Sequence, residues 1–91
     1  MEIKRLFGGV GLYFEGVLFG LIDDDTLYLR VDDATRPDFE QRHMPALRPV
    51  RKEPSKVSRS YYQAPSEVLE DSEALRQWAQ RAIRAARPAR R

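Results

Sequence analysis

The sequence predicts an α+β domain of two layers, in which helices pack on an antiparallel sheet of about five strands. The first third of the chain consists of short apolar segments separated by turn-forming residues, which is the pattern of antiparallel strands. The last quarter repeats apolar residues every three or four positions, which is the pattern of an amphipathic helix. A short helical segment and two more strand segments lie between them, so the predicted order is three strands, a helix, two strands and a helix.

The composition fits a single domain over residues 1–91. Of these residues, 42% are hydrophobic and 33% are charged, which supplies enough apolar material for one small core. The chain has no Cys and one His, which excludes disulfides, thiolate metal ligands, Cys nucleophiles and multi-His metal sites. We therefore expect no metal and no other cofactor.

The distribution of apolar residues predicts a cytoplasmic protein without a membrane partner. No apolar run approaches the roughly 20 residues that span a bilayer. The first residues are not followed by the apolar segment of a secretory signal.

The first strand is predicted over residues 3–7, where apolar side chains alternate. Gly8 and Gly9 follow, and a glycine pair within a strand predicts a bulge that bends the strand before residues 10–15 continue it.

Two more strands complete the predicted meander. Glu15-Gly16 is a two-residue hairpin signal before residues 17–22, which are almost wholly apolar, as is typical of a central strand. The carboxylate-rich residues 23–26 predict a turn, and residues 27–31 alternate between apolar and polar side chains as the third strand.

A short helix is predicted after the third strand. Thr35 is a candidate N-cap, with Asp38 three residues later as its capping-box partner. Pro37 lies in the first turn, where its missing N–H costs little. Phe39 is the expected buried anchor, and Pro45 ends the helix.

Two strands are predicted in the second half. One covers residues 46–52, where Pro49 favours an edge position, and the other covers residues 57–63. Alternation in the second strand places Tyr61 and Tyr62 on opposite faces, so at most one of them belongs to a stacking surface for nucleic acid.

The C-terminal helix carries the clearest pattern in the chain. Asp71 or Ser72 caps its start, Pro88 ends it, and residues 88–91 are expected to fray. Six residues form the apolar stripe: Leu75, Trp78, Ala79, Ala82, Ile83 and Ala86. The opposite face is polar and rich in arginine, with Arg76, Arg81, Arg84 and Arg87.

The net charge of +2 conceals two halves of opposite sign. Residues 1–40 carry four basic and nine acidic residues, whereas residues 41–91 carry twelve basic and five acidic ones. Thirteen of the sixteen basic residues are Arg. Arginine binds phosphates and carboxylates through a planar fork, although an Arg-rich composition is equally typical of high-GC codon usage.

For three further motifs, a purely structural interpretation is favoured over a functional one. Residues 8–11 resemble a phosphate loop, but strand pattern resumes where a helix should begin, so a bulge is favoured. The acidic residues 23–25 lack the ligand spacing of a calcium loop, so a solvated turn is favoured. His43 has no partner positioned by a motif, so a surface or capping role is favoured over a general base.

Several segments together resemble the TfoX (Sxy) N-terminal domain. The segments that carry the resemblance are residues 7–13, 19–22, 27–32, 60–62 with Pro65 and Leu69, and the helix containing Leu75, Trp78, Ala79 and Ala82. The resemblance covers nearly the whole chain in the expected order and spacing.

The resemblance implies a regulatory role without carrying over any catalytic residue. The family takes its name from regulators of natural competence, in which the full protein acts as a coactivator with the cyclic-AMP receptor protein. Family members usually begin with a helix before the Phe-Gly-Gly strand, and the full regulators add a second, helical domain. This sequence begins almost at that strand and ends at Arg91.

We therefore expect a non-enzymatic interaction domain whose protein partners are a second copy of the chain and a transcription regulator. The alternative is a weak nucleic-acid binder that uses the arginine face of the last helix. Its candidate contacts are Arg76, Arg81, Arg84 and Arg87.

The absence of the first family helix also predicts a homodimer. Without that helix, the apolar face of the first hairpin should be under-covered, and its candidate residues are Leu12, Phe14, Phe19 and Leu21. If on the order of 500 Å² of apolar surface stays exposed to water, about 12 kcal/mol of hydrophobic stabilisation is lost, which is as large as the stability of a small domain. A patch of that size on a monomer normally marks an interaction site, so pairing of these faces or of sheet edges is expected.

Overall fold

The fold is an open antiparallel sheet with helices packed on it. The computed structural model describes residues 1–6, 9–47 and 58–87, without the side chains of Leu6, Ser58 and Arg59. The strands are β1 (Glu2–Leu6), β2 (Gly9–Phe14), β3 (Val17–Asp23), β4 (Thr26–Arg30), β5 (Ala46–Leu47) and β6 (Ser58–Gln63). The helices are α1 (Arg36–Glu40), α2 (Ser66–Leu69) and α3 (Ser72–Ala86). The sheet order is β1-β2-β3-β4-β6-β5, which confirms the predicted α+β class with one strand more than expected.

The extra strand lies at the N-terminus. The glycine pair was expected to bend one strand, but β1 and β2 run antiparallel, with Ile3 opposite Leu12 and Leu6 opposite Gly9. The prediction of a bend was therefore wrong. Glycine adopts the backbone conformations of a chain reversal as easily as those of a bulge, so alternation on either side of the pair does not separate the two outcomes.

The two predicted tight turns are confirmed. Glu15 and Gly16 have φ values of 52° and 80° between the paired residues Phe14 and Val17. Asp24 and Asp25 have φ values of 54° and 59° before Thr26. Two successive residues with positive φ give the turn whose twist matches that of paired strands, and Gly and Asp are among the residues that tolerate this conformation.

A bulge lies between β2 and β3. Leu12 is opposite Gly20 and Tyr13 is opposite Leu18, so Phe19 is an additional residue in β3. Phe19 is only 4% exposed and belongs to the core with Leu29. The bulge therefore places Phe19 on the same side of the sheet as Leu12, beneath the helices.

The core fills the space between the helices and one face of the sheet. Its centre is Leu29, which is 1% exposed. The other buried members of this cluster are Phe19, Val31, Phe39, Tyr62, Ala64 and Ala82. Leu12, Phe14, Leu27, Trp78, Ala79, Ile83 and Ala86 pack against it. The predicted anchor Phe39 and five of the six residues of the predicted apolar stripe of α3, all except Leu75, therefore belong to this core or pack against it.

The start of α1 differs from the predicted capping box. Thr35 is the N-cap residue, but its side chain makes no cap hydrogen bond to the helix. Instead, Asp32 Oδ1 accepts hydrogen bonds from the backbone N–H groups of Ala34 at 3.0 Å and Thr35 at 2.9 Å. The Thr35 hydroxyl oxygen accepts one from the Asp32 N–H at 3.0 Å. These hydrogen bonds form a turn before the helix begins, and the Asp38 carboxylate does not take part in it.

The start of α3 follows the prediction. Asp71 is the N-cap residue, and its carboxylate accepts hydrogen bonds from the backbone N–H groups of Glu73 at 3.0 Å and Ala74 at 3.3 Å. The short helix α2 directly before it was not predicted. Of the strand predicted over residues 46–52, only Ala46–Leu47 lies within the described residues, as the edge strand β5. The expected fraying of residues 88–91 lies outside them.

Gly9→Ala is expected to destabilise the fold by about 1–3 kcal/mol, because a Cβ at this position would lie 2.5 Å from the Ile22 carbonyl oxygen. The measurement is the free energy of unfolding in urea. Gly16→Asn is the control, because its Cβ meets nothing within 4 Å and Asn tolerates positive φ. Equal effects of the two substitutions would contradict the close approach of β2 and β3.

Asp32→Asn is expected to destabilise the protein at neutral pH and to have less effect in acid. Burial raises the pKa of Asp32, but the hydrogen bonds from Thr35 and Ala34 outweigh it, so the pKa lies below the ordinary value. The stabilisation is therefore present above the unfolded value of about 3.9 and is lost as the pH falls through the lower native pKa.

The measurement for Asp32 is the difference in unfolding free energy between wild type and variant from pH 7 to pH 2. Asp24→Asn serves as the control, since its carboxylate accepts no hydrogen bond within the described residues. A difference for Asp32→Asn that is the same at every pH would show that the charge of Asp32 does not stabilise the turn.

Candidate interaction surfaces

The four predicted arginines of α3 divide into two pairs. Arg81 forms an ion pair with Asp38 of α1. Arg87 Nη2 lies 3.0 Å from Glu15 Oε1, at the turn between β2 and β3. Arg76 and Arg84 are exposed and have no partner in the part of the chain that the structure describes. Two of the four candidate phosphate contacts, Arg76 and Arg84, therefore make no ion pair within the described residues. Arg87 lies in an exposed ion pair, which contributes little to stability.

Arg81 also belongs to a cluster that joins the three helices. Its guanidinium lies 5.4 Å from the centre of the Trp78 ring, and that of Arg42 lies 5.2 Å from it. Phe39 meets the same ring edge-on, with ring centres 4.9 Å apart. Arg42 Nε lies 3.6 Å from Glu67 Oε1 of α2. The cation–π and aromatic contacts fix α1 against α3, so Arg81 has a structural role that the helical pattern alone did not reveal.

The opposite side of the sheet forms a second surface, which we call the uncovered face. Tyr13 is opposite Leu18, Leu21 is opposite Tyr28, and Arg30 is opposite Tyr61. None of these residues belongs to the core beneath the helices. All except Tyr61 are partly exposed. The uncovered face comprises Tyr13, Leu18, Leu21, Tyr28, Arg30 and Tyr61.

Arg30 is the most unusual member of the uncovered face. Its guanidinium lies 5.4 Å from the centre of the Tyr61 ring, and Tyr61 is only 9% exposed. The Nε atom of Arg30 is shielded from solvent and makes no hydrogen bond within the described residues. A shielded N–H without an acceptor costs free energy, so Arg30 is held at this position by its other contacts, among them the Tyr61 ring.

The residues predicted to mediate self-association do not form one surface. Phe19 is buried, and Leu12 and Phe14 pack against the core beneath α3. Leu21 lies on the uncovered face, opposite Tyr28. The physical reason is the bulge at Phe19, which interrupts the simple alternation along β3. Self-association itself stays a prediction, but these four residues do not supply a common surface for it.

The remaining candidate residues, which are the two tyrosines, the acidic turn and His43, lie where a purely structural role places them. Tyr62 points into the core, where its hydroxyl donates a hydrogen bond to Glu40 Oε2 at 3.2 Å, so the two tyrosines lie on opposite faces as predicted. Asp24 and Asp25 form a turn. His43 is exposed after α1. Within the described ranges no three His, Cys, Asp or Glu side chains are grouped in a way that would hold a metal ion.

Taken together, the geometry of the described residues defines a small α+β domain in which helices and one face of the sheet enclose the core, and the uncovered face lies outside that core. The family model of the TfoX N-terminal domain matches residues 1–86. The chain therefore belongs to the TfoX N-terminal domain family and is a competence-regulator-like domain. No curated protein matches the chain. In residues 1–6, 9–47 and 58–87, no helix has the length and apolar character needed to cross a membrane.

If α3 binds duplex DNA, Arg76 and Arg84 are expected to carry the contact. Two phosphate contacts predict a log–log salt dependence with a slope of about −1.8, and weak binding without sequence preference. The measurement is fluorescence anisotropy of a labelled duplex over a salt series, with Arg76→Ala/Arg84→Ala abolishing the slope.

A double variant that removes the same charge elsewhere, Arg5→Ala/Arg36→Ala, is the control and is expected to leave the slope unchanged. Sub-micromolar, sequence-specific binding at physiological salt would contradict this limited role of α3.

Proposed function

We propose that this chain is a non-enzymatic regulatory domain that binds a protein partner through its uncovered face. The observation that carries the proposal is the partly exposed sheet surface outside the core, built from aromatic and aliphatic residues around Arg30. Tyrosine and arginine are enriched in the centres of protein interfaces, where they combine a large contact area with directed hydrogen bonds. The family supports a regulatory role, and its pattern brings no catalytic residue to this chain.

Arg30 supplies the specificity in this proposal. Arg30 is partly exposed, and its guanidinium is the donor that a carbonyl or carboxylate oxygen of the partner would meet. The Tyr61 ring beneath the guanidinium holds the donor in place, so little side-chain entropy is lost on binding. Leu21 and Tyr28, which are opposite each other beside Arg30, supply the apolar contact.

The partner class that the family favours is a transcription regulator in the cytoplasm. The full competence regulators that give the family its name act together with a DNA-binding protein, and a small domain with a partly exposed sheet face is suited to such a contact. The uncovered face is modest in area: four strands about 4.8 Å apart, with side chains reaching over about 20 Å of strand, cover on the order of 300–400 Å². A standard interface buries about 800 Å² on each partner, so a contact through one such face is expected to be transient.

Nucleic-acid binding through α3 is the second candidate function. Arg76 and Arg84 favour it, because both are exposed and neither has a partner among the described residues. It ranks below the protein contact because Arg81 is committed to Asp38 and Trp78, which removes it as a phosphate contact.

Leu21→Glu is expected to abolish partner capture from native cell extract, because it buries a charge in the proposed apolar contact. The measurement is affinity capture with tagged protein, with and without nuclease, and with circular dichroism to verify folding. Gln80→Glu adds the same charge to the exposed face of α3 and is expected to retain the partner.

The two candidate functions give opposite results in this experiment. Capture that resists nuclease and is lost only in Leu21→Glu supports the protein contact. Capture that nuclease abolishes, and that Arg76→Ala/Arg84→Ala also abolishes, would replace it with the nucleic-acid function.

A further inference from the structure

The strand β1 leaves one edge of the sheet unpaired. β1 is the first strand in the sheet order, and it pairs with β2 along all five of its residues. Its other edge has no strand against it among the described residues. Met1 is 74% exposed and Ile3 is 64% exposed, so apolar side chains accompany this edge. An exposed edge with apolar side chains is a template for pairing with another strand.

The simplest occupant of such an edge is a second copy of the same strand. Two identical strands pair antiparallel about a twofold axis perpendicular to the sheet, and side chains directly opposite each other then lie on the same face. Because side chains alternate between faces, the axis must pass through a residue rather than between two residues. Each register is therefore defined by the residue of β1 that faces its own copy.

The charges of β1 select one register. With Ile3 at the axis, Glu2 is opposite the partner's Lys4, and the same pair recurs on the other side of the axis. With Glu2, Lys4 or Arg5 at the axis, identical charges face each other. Opposite charges across a strand pair are favourable and like charges are unfavourable, so the register centred on Ile3 is the favoured one.

The two faces of β1 also suit this register. Ile3 is opposite Leu12 and therefore lies on the helix side of the sheet. Lys4 lies on the other side, with its Nζ 5.1 Å from the centre of the Tyr13 ring, and Glu2 is opposite Tyr13. The pairing would join the two Ile3 side chains on the helix side and form two Glu–Lys pairs on the uncovered side.

We propose that the chain forms a twofold dimer in which the β1 strands pair antiparallel with Ile3 at the axis. The dimer continues the sheet across both copies and places the two uncovered faces side by side. This inference goes beyond the protein contact proposed above, because it rests on the edge strand and would stand if the uncovered face bound nothing.

A cysteine cross-link tests the register directly. The chain contains no Cys, so Ile3→Cys introduces a single thiol. Directly opposite Cβ atoms lie about 4.5–5.5 Å apart, close to the span of a disulfide, whereas those of Lys4→Cys would lie about 8 Å apart on the diagonal. On mild oxidation, Ile3→Cys is expected to give a covalent dimer much faster than the Lys4→Cys control, as measured by non-reducing electrophoresis over time.

Charge reversal tests the same register without a covalent bond. Glu2→Lys and Lys4→Glu each place like charges opposite one another and are expected to raise the dimer dissociation constant at least about tenfold. The double variant Glu2→Lys/Lys4→Glu restores unlike pairs and is expected to return the constant to near the wild-type value. Glu73→Lys, on the exposed side of α3, is the control for net charge, and sedimentation analysis over a concentration series is the measurement.

Three results would overturn the proposal. The first is a wild-type protein that remains monomeric at about 1 mM. The second is a dimer whose dissociation constant Glu2→Lys leaves unchanged. The third is cross-linking that is no faster for Ile3→Cys than for Lys4→Cys. Circular dichroism of each variant separates loss of pairing from loss of folding.

Discussion

The packing of the core depends on the helix α3, which lies on one side of a six-stranded sheet. α3 has 15 residues and is therefore about 22 Å long, and its packing is concentrated on the central strands β3 and β4. Leu29 of β4 and Ala82 of α3 are almost completely buried where the two layers meet. Among the described residues, the uncovered face lies outside the core beneath α3, and no strand pairs with the outer edge of β1. Both proposed interactions follow from this arrangement.

The helix layer is held together by a charged and aromatic cluster around Trp78. Phe39 anchors α1 in the core, while Arg42 and Arg81 lie near the indole ring and reach carboxylates on α2 and α1. α1 has only five residues and would not be stable as an isolated helix. Its position therefore depends on Asp32 at its start and on these contacts along its side. The same contacts remove Arg81 from the arginine face of α3.

Local patterns predicted those parts of the fold that local interactions determine. The turn at Glu15 and Gly16, the Asp71 cap and the inward stripe of α3 follow from residue type and spacing alone. The β1–β2 pairing did not, because a glycine pair suits a bulge and a reversal equally. The sequence pattern also did not predict that Phe19 and Leu21 lie on opposite faces of the sheet. Simple alternation places them on one face, and only the pairing of β3 with β2 reveals the additional residue. The alternation of side chains along β2 and β4 is enough to place Tyr13 and Tyr28 on the uncovered face.

The order of the strands has a consequence for folding kinetics. β1 to β4 form a meander in which each strand pairs with its neighbour in the chain, so these hairpins close through small loops on a microsecond timescale. β6 must instead find β4, with Leu29 opposite Tyr62, a residue 33 positions further along the chain. Closing this long loop costs more chain entropy than closing a tight turn, and it is rewarded only when Tyr62 reaches the core. The meander is therefore expected to form early, with the arrival of β6 and the docking of α3 limiting the rate.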